Sequence, residues 1–185
     1  MWQVRRKICL MFSLICTVIL SASDLVFAKT IDRPLTTEEC YIKMGYKSVE
    51  EAVKDFENHF KEDVRLPSMK PSIPFNLQFG KFHEDKAYNT NDYLDIQFMH
   101  KKLLGNNFTI NIRTLENKLV FKEKPGQKLY TLKNGQKALY FEHRFSSNFL
   151  VFESDHWQYM FGIDKRVSDK VTPEVLVEIA NSIPE

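Results

Sequence analysis

Of 185 residues only six are glycine and three are cysteine, and the charge is nearly balanced, with 26 basic and 24 acidic residues. Each scarcity excludes something. With so little glycine there is no Gly-rich turn of the kind that cradles phosphate at a helix N-terminus. Cys9 and Cys16 fall in the first 28 residues, which leaves Cys40 as the one cysteine beyond them. No disulfide can then close within the remaining chain, and Cys40 is expected to be buried as a small hydrophobe or to serve an intermolecular bridge. No G-x-S-x-G elbow and no H-E-x-x-H pair occurs, so neither an activated serine nor a zinc helix is written in the chain.

The first 28 residues form a class of their own. Arg5, Arg6 and Lys7 precede the apolar run Ile8–Ala22, and Val26-Phe27-Ala28 offers small residues for cleavage. A basic start, apolar middle and A-x-A-like end describe a secretory signal peptide. The rival is an uncleaved anchor over Ile8–Phe27, and then the chain meets the membrane only through this segment. Ile8 and Ile15, the residues before Cys9 and Cys16, are too large for a lipoprotein signal. Without Met1–Ala28 the chain loses three basic residues and one acidic residue, which leaves 23 of each. A formally neutral domain has no electrostatic bias toward nucleic acid. Secretion or tethering outside the membrane is the expected localisation.

Lys29–Lys47 reads as a polar lead-in, and Ser48–Glu185 as a single α+β domain. Ser48 and Glu51 make a capping box ahead of Val49, Ala52, Val53, Phe56 and Phe60, whose spacing predicts an amphipathic helix over Val49–Glu62. Pro67, Pro71 and Pro74 then keep the chain extended. Strands are expected at Phe75–Phe82, Asp92–His100, Phe108–Arg113, Lys118–Phe121 and Lys128–Thr131. Asn134-Gly135 is a hairpin signal leading into Lys137–Asp164, where three aromatic-rich runs separated by short polar gaps predict an antiparallel meander. Thr172-Pro173 opens a last helix, with Val175, Leu176, Ile179, Ala180 and Ile183 on one face. The predicted fold is a curved antiparallel sheet of about eight strands, a meander, with one helix at each end of the domain packed on it.

Candidate chemistry is sparse. His59, His83, His100, His143 and His156 are read as separate surface histidines, and no metal or other cofactor is expected. Asp92 and Asp95 are read as solvent-facing strand residues. A hydrolase would need ionisable side chains to converge, for instance His143 with Glu153 or Asp155. No catalytic residues are assigned. The aromatic content is the feature most open to function: Phe141, Phe149, Trp157, Tyr159 and Phe161 are the candidate binding residues, as the lining of a concave sheet surface that takes a hydrophobic ligand or a peptide, although alternation also makes them ordinary core. Asn107-Phe108-Thr109 is formally a glycosylation sequon.

Four stretches carry a resemblance: LPSMKPSIPF (Leu66–Phe75), NGQKALYFEHR (Asn134–Arg144), NFLVFESDHWQYMFGID (Asn148–Asp164) and VTPEVLVEIANSI (Val171–Ile183). Over Ser48–Ile183 the chain resembles an uncharacterised extracytoplasmic domain family of spore-forming Gram-positive bacteria, found as the ectodomain of anti-sigma factors and in small sporulation or envelope proteins. The resemblance implies a curved antiparallel sheet with helices packed on it, distantly similar to the half-barrels of lipoprotein carriers, and it supplies no catalytic residues. Only Met1–Lys7 precede Ile8, too few for a sigma-binding domain, so a free-standing secreted or tethered form is expected. The expected function is a non-enzymatic binding domain of the bacterial envelope, with stress or sporulation as its setting and an envelope protein as its partner. The alternative is a carrier of a hydrophobic envelope ligand.

Overall fold

A computed structural model describes residues 33–88, 91–122, 124–143 and 146–184. The chain divides into a unit Met1–Pro34, of which only residues 33 and 34 are described, and a compact unit Leu35–Glu185. The leader expected over Met1–Ala28 therefore lies outside the described residues. Among those residues, no helix is long and apolar enough to cross a membrane.

Seven strands form one antiparallel sheet: β1 (Leu77–His83), β2 (Tyr93–Met99), β3 (Asn107–Thr114), β4 (Lys128–Thr131), β5 (Lys137–Glu142), β6 (Ser147–Ser154) and β7 (Trp157–Asp164). Their order across the curved, open sheet is β1-β2-β3-β7-β6-β5-β4. Among the described residues three α-helices accompany it: α1 (Thr37–Lys43), α2 (Val49–Phe60) and α3 (Pro173–Ala180). The α+β class and the meander over Lys137–Asp164 are as expected, since β5, β6 and β7 pair in succession. The sheet as a whole is two meanders, β1–β3 and β4–β7, joined where β3 pairs with β7.

The count is seven strands and not eight because Lys118–Phe121 is not a strand. Both edges of β7 are taken, by β3 and β6, so no ladder is open to this segment there. The Gln158 side chain stands in for a neighbouring strand: its Oε1 accepts from the Leu119 N–H at 2.8 Å and its Nε2 donates to the Leu119 carbonyl at 3.0 Å. The segment is thus held against a face of the sheet.

Strand alternation gives the sheet two faces of different character. The first face carries Leu94, Ile96, Phe108, Ile110, Ile112, Leu150, Phe152, Trp157, Tyr159 and Phe161, all buried. The Ser48–Glu51 capping box starts α2 as expected, and the helix buries Ala52 and Phe56 in this core. Gly80 lets it approach: a Cβ there would lie 2.7 Å from the Ala52 Cβ and 3.0 Å from the Val49 Cα. Leu176 and Ile179 of α3 join the same core, at about 1.5–3 kcal/mol each when fully buried. Thr172 is the N-cap of α3, but its side chain makes no capping bond to the helix amides; it engages Glu174. The proline-broken segment crosses the same side, pinned where Trp157 Nε1 donates to the Asp63 carbonyl (3.0 Å) and the Tyr159 hydroxyl to the Arg65 carbonyl (2.9 Å).

The lead-in holds an element that the sequence reading left out. α1 has its own capping box, Thr36 with Glu39. It docks on the second face of β1, where the Tyr41 ring stacks on Phe79 with centroids 4.8 Å apart.

Candidate functional site

The second face is polar at one side of the sheet and apolar at the other. On β1–β3 it presents Lys81, His83, Tyr93, Asp95, Gln97, Asn111 and Arg113, brought side by side by the strand register. Asp95, 5 % exposed, is the hub. Its carboxylate accepts from the Tyr46 hydroxyl (2.5 Å), Asn111 Nδ2 (2.5 Å) and Gln97 Nε2 (2.9 Å). Burial, and next the bond to Asp95, push the Tyr46 hydroxyl well above the usual phenol range, so it remains a donor. Beside this hub the Tyr93 ring lies between His83, stacked at 4.3 Å, and the Arg113 guanidinium at 4.4 Å. Burial lowers the pKa of both His83 and Arg113. The cluster is roofed by α1 and Tyr46, and it binds the lead-in to the sheet.

A smaller recess of about 360 Å³ lies at the end of α2, lined by His59, Glu62, Asp92, Thr114, Glu116 and His156. Asp92, 1 % exposed, accepts from the Asp85 N–H at 2.5 Å and lies 3.2 Å from His59 Nε2. The readings of His59 and His83 as isolated surface histidines, and of Asp92 and Asp95 as solvent-facing, are corrected: each takes part in a packed contact. Of hydroxyl and thiol side chains only Thr114 is among the described residues that line this recess, and the contact orients His59 toward Asp92. The other constellation considered for a hydrolase is not assembled. His143 follows β5 at the Ser147 end of β6, and Glu153 lies at the far end of β6, paired with Lys118 at 2.8 Å.

The five aromatic candidates fall on opposite faces. Ser154 pairs with Trp157 across the β6–β7 turn, so Trp157, Tyr159 and Phe161 share the face of Phe152 and Leu150 and are sealed in the core. Phe141 and Phe149, cross-strand partners with rings 5.5 Å apart, lie on the second face, half-buried. One groove lined by all five does not exist. The parity of the two-residue turn between Ser154 and Trp157 is the signal that separates the two sets.

At Phe141 and Phe149 the second face becomes apolar and open. Leu129, Leu139, Val151 and Met160 form a row across β4, β5, β6 and β7. The Phe149 ring extends over Gly162, where a Cβ would come within 3.0 Å of it. The segment 118–127 arches above, with Phe121 against Phe141 at 5.1 Å. Two grooves of about 480 and 810 Å³ lie along the arch, both lined by Val120 and Phe121, with Lys118 and Lys137 beside one and Lys122 and Lys124 beside the other. Val120 is 84 % exposed and Leu129 70 %. Leu129 belongs to β4, the edge strand, which pairs only with β5. Nothing in β-strand chemistry requires such apolar exposure, which natural edges avoid.

Among the described residues, no group of three or more histidine, cysteine, aspartate or glutamate side chains could hold a metal ion. Comparison with family models, with curated proteins and with solved structures finds no match to this chain.

Proposed function

We propose that the protein is a non-enzymatic binding domain acting outside the cytoplasmic membrane, secreted or tethered by its N-terminal segment, as the resemblance to the extracytoplasmic domain family also suggests. Its recognition surface is the second face of β4–β6 together with the arch 118–127. The observation that carries this reading is the exposed pair Val120 and Leu129 beside the half-buried Leu139, Phe141 and Phe149 of the second face. Exposed apolar area of this kind, rimmed by charge, is what a partner covers.

The carrier reading moves to the same place. Trp157, Tyr159 and Phe161 are consumed by the core, so a hydrophobic ligand would have to use the grooves under Phe121 and Val120. The test is a photo-crosslinking amino acid placed at Val120, with Lys54 on the exposed side of α2 as control, in cells that export the protein. Discrete adducts at 120 and none at 54 support the reading. Equal, non-specific labelling at both positions would remove it.

A further inference from the structure

Resting on that reading, we propose that the partner of the arch and the β4 edge is the surface of an anionic lipid bilayer. Residues 117–137 hold six lysines and one acidic residue, Glu123, although the chain beyond its first 28 residues is neutral in sum. Residues 35–63, which include α1 and α2, hold eight acidic and four basic residues. α2 lies on the first face, from β1, where Gly80 lets Ala52 approach, to β7, where the Phe56 ring lies 4.9 Å from Trp157, whereas the lysine-rich stretch begins over the second face and includes the edge strand β4. The lysines thus accompany the exposed Val120 and Leu129, while the acidic α2 lies on the other face of the sheet.

The local order matters as much as the total. Leu119-Val120-Phe121 is bracketed by Lys118 and by Lys122 and Lys124, and all three lysines are exposed. Such an apolar tip with flanking lysines suits an interface: the tip enters the acyl boundary, and the stems extend so that the ammonium groups meet phosphates. Leu129 enters beside Val120. An acidic protein partner would satisfy the lysines, but it would have to present a cavity for each of two protruding aliphatic side chains; a lipid surface accommodates both without one. With the acidic α2 on the opposite face of the sheet, like-charge repulsion reinforces a single orientation.

Hydrogen exchange of the full chain in vesicles reads this locally, whatever the N-terminal segment does. Vesicles of phosphatidylcholine alone are compared with vesicles that also contain phosphatidylglycerol. The amides of 118–131 are expected to exchange more slowly only with the anionic lipid, and raising the salt to 1 M should restore fast exchange. Each lysine removed should weaken docking about five-fold. The combined Lys118→Glu, Lys122→Glu and Lys124→Glu variant should lose the protection altogether, the matching arginine variant should keep it, and exchange in β2 and β3 should report that both remain folded. Equal protection with both lipids, or none with either, overturns the proposal. Protection that appears without lipid and grows with protein concentration assigns the surface to a second copy, which also overturns the membrane proposal but leaves the reading of this face as a binding surface standing.

Discussion

The two halves of the sheet use their second face in opposite ways. On β1–β3 that face is closed: α1, Tyr41 and Tyr46 lie over it, and its buried carboxylate, Asp95, accepts from Tyr46, Gln97 and Asn111. On β4–β6 the same face carries Phe141, Phe149, Leu139 and Leu129, and among the described residues the arch, not a helix, lies above it. The edges differ likewise. The outer side of β1 is partly paired, because Lys47 and Gly80 exchange both of their backbone hydrogen bonds at 2.9 Å, whereas β4 pairs only with β5. One half is thus closed with polar chemistry, and the other is apolar and more open.

The comparison is sharpened most strongly by truncating aromatics on either side of it. Trp157→Ala empties the first-face core and should cost about 3–5 kcal/mol, while Phe141→Ala, on the half-buried second face, should cost less than about 1.5 kcal/mol. Urea unfolding of the two variants gives both numbers, and similar values would mean that the faces are not distinct. Next comes Gly80→Ala, which forces α2 off β1 because the new methyl meets the Val49 backbone; overpacking predicts a loss of about 1–3 kcal/mol in the same assay.

Tyr46→Phe removes one donor from Asp95 but leaves Gln97 and Asn111 in place, so a loss of about 1.5 kcal/mol is expected, with faster exchange in α1. A change confined to α1, with unaltered global stability, would show that the cluster only holds the lead-in. The smallest effect is the pH response. The folded pKa of His83 lies below its unfolded value because burial disfavours the charged ring, outweighing the attraction of Asp95, with Lys81 and Arg113 adding to the depression. Stability from this group is thus complete above about pH 6.5 and declines as pH falls below it, since the unfolded chain takes the proton first. His83→Gln should flatten that limb of the stability profile, and an unchanged slope would contradict the assignment.

What could be read from the residues followed from local chemistry. The Ser48–Glu51 box, the proline-broken crossing, the Lys137–Asp164 meander and the last helix each depend on short-range spacing that the chain displays openly. The Thr36–Glu39 box is equally local and would have revealed α1, but the short polar segment around it offers little hydrophobic periodicity. Lys118–Phe121 has the composition of a strand and lacks only a free edge, which is a property of the finished sheet and not of the segment. The Asp95 cluster was hidden for a related reason: its members come from four separate segments, and only the β1–β3 register makes them neighbours. Phe149 and Trp157 look alike in composition, and the turn between them decides which one enters the core.

The claim that one half of the second face is open and the other closed can be measured on the isolated protein by carbene footprinting. Labelling should be heavy at Val120 and Leu129 and extend to Leu139, and light at Phe79 and at Tyr93–Gln97. Comparable labelling of the two halves, or an unlabelled Val120 and Leu129 in the monomer, would contradict it.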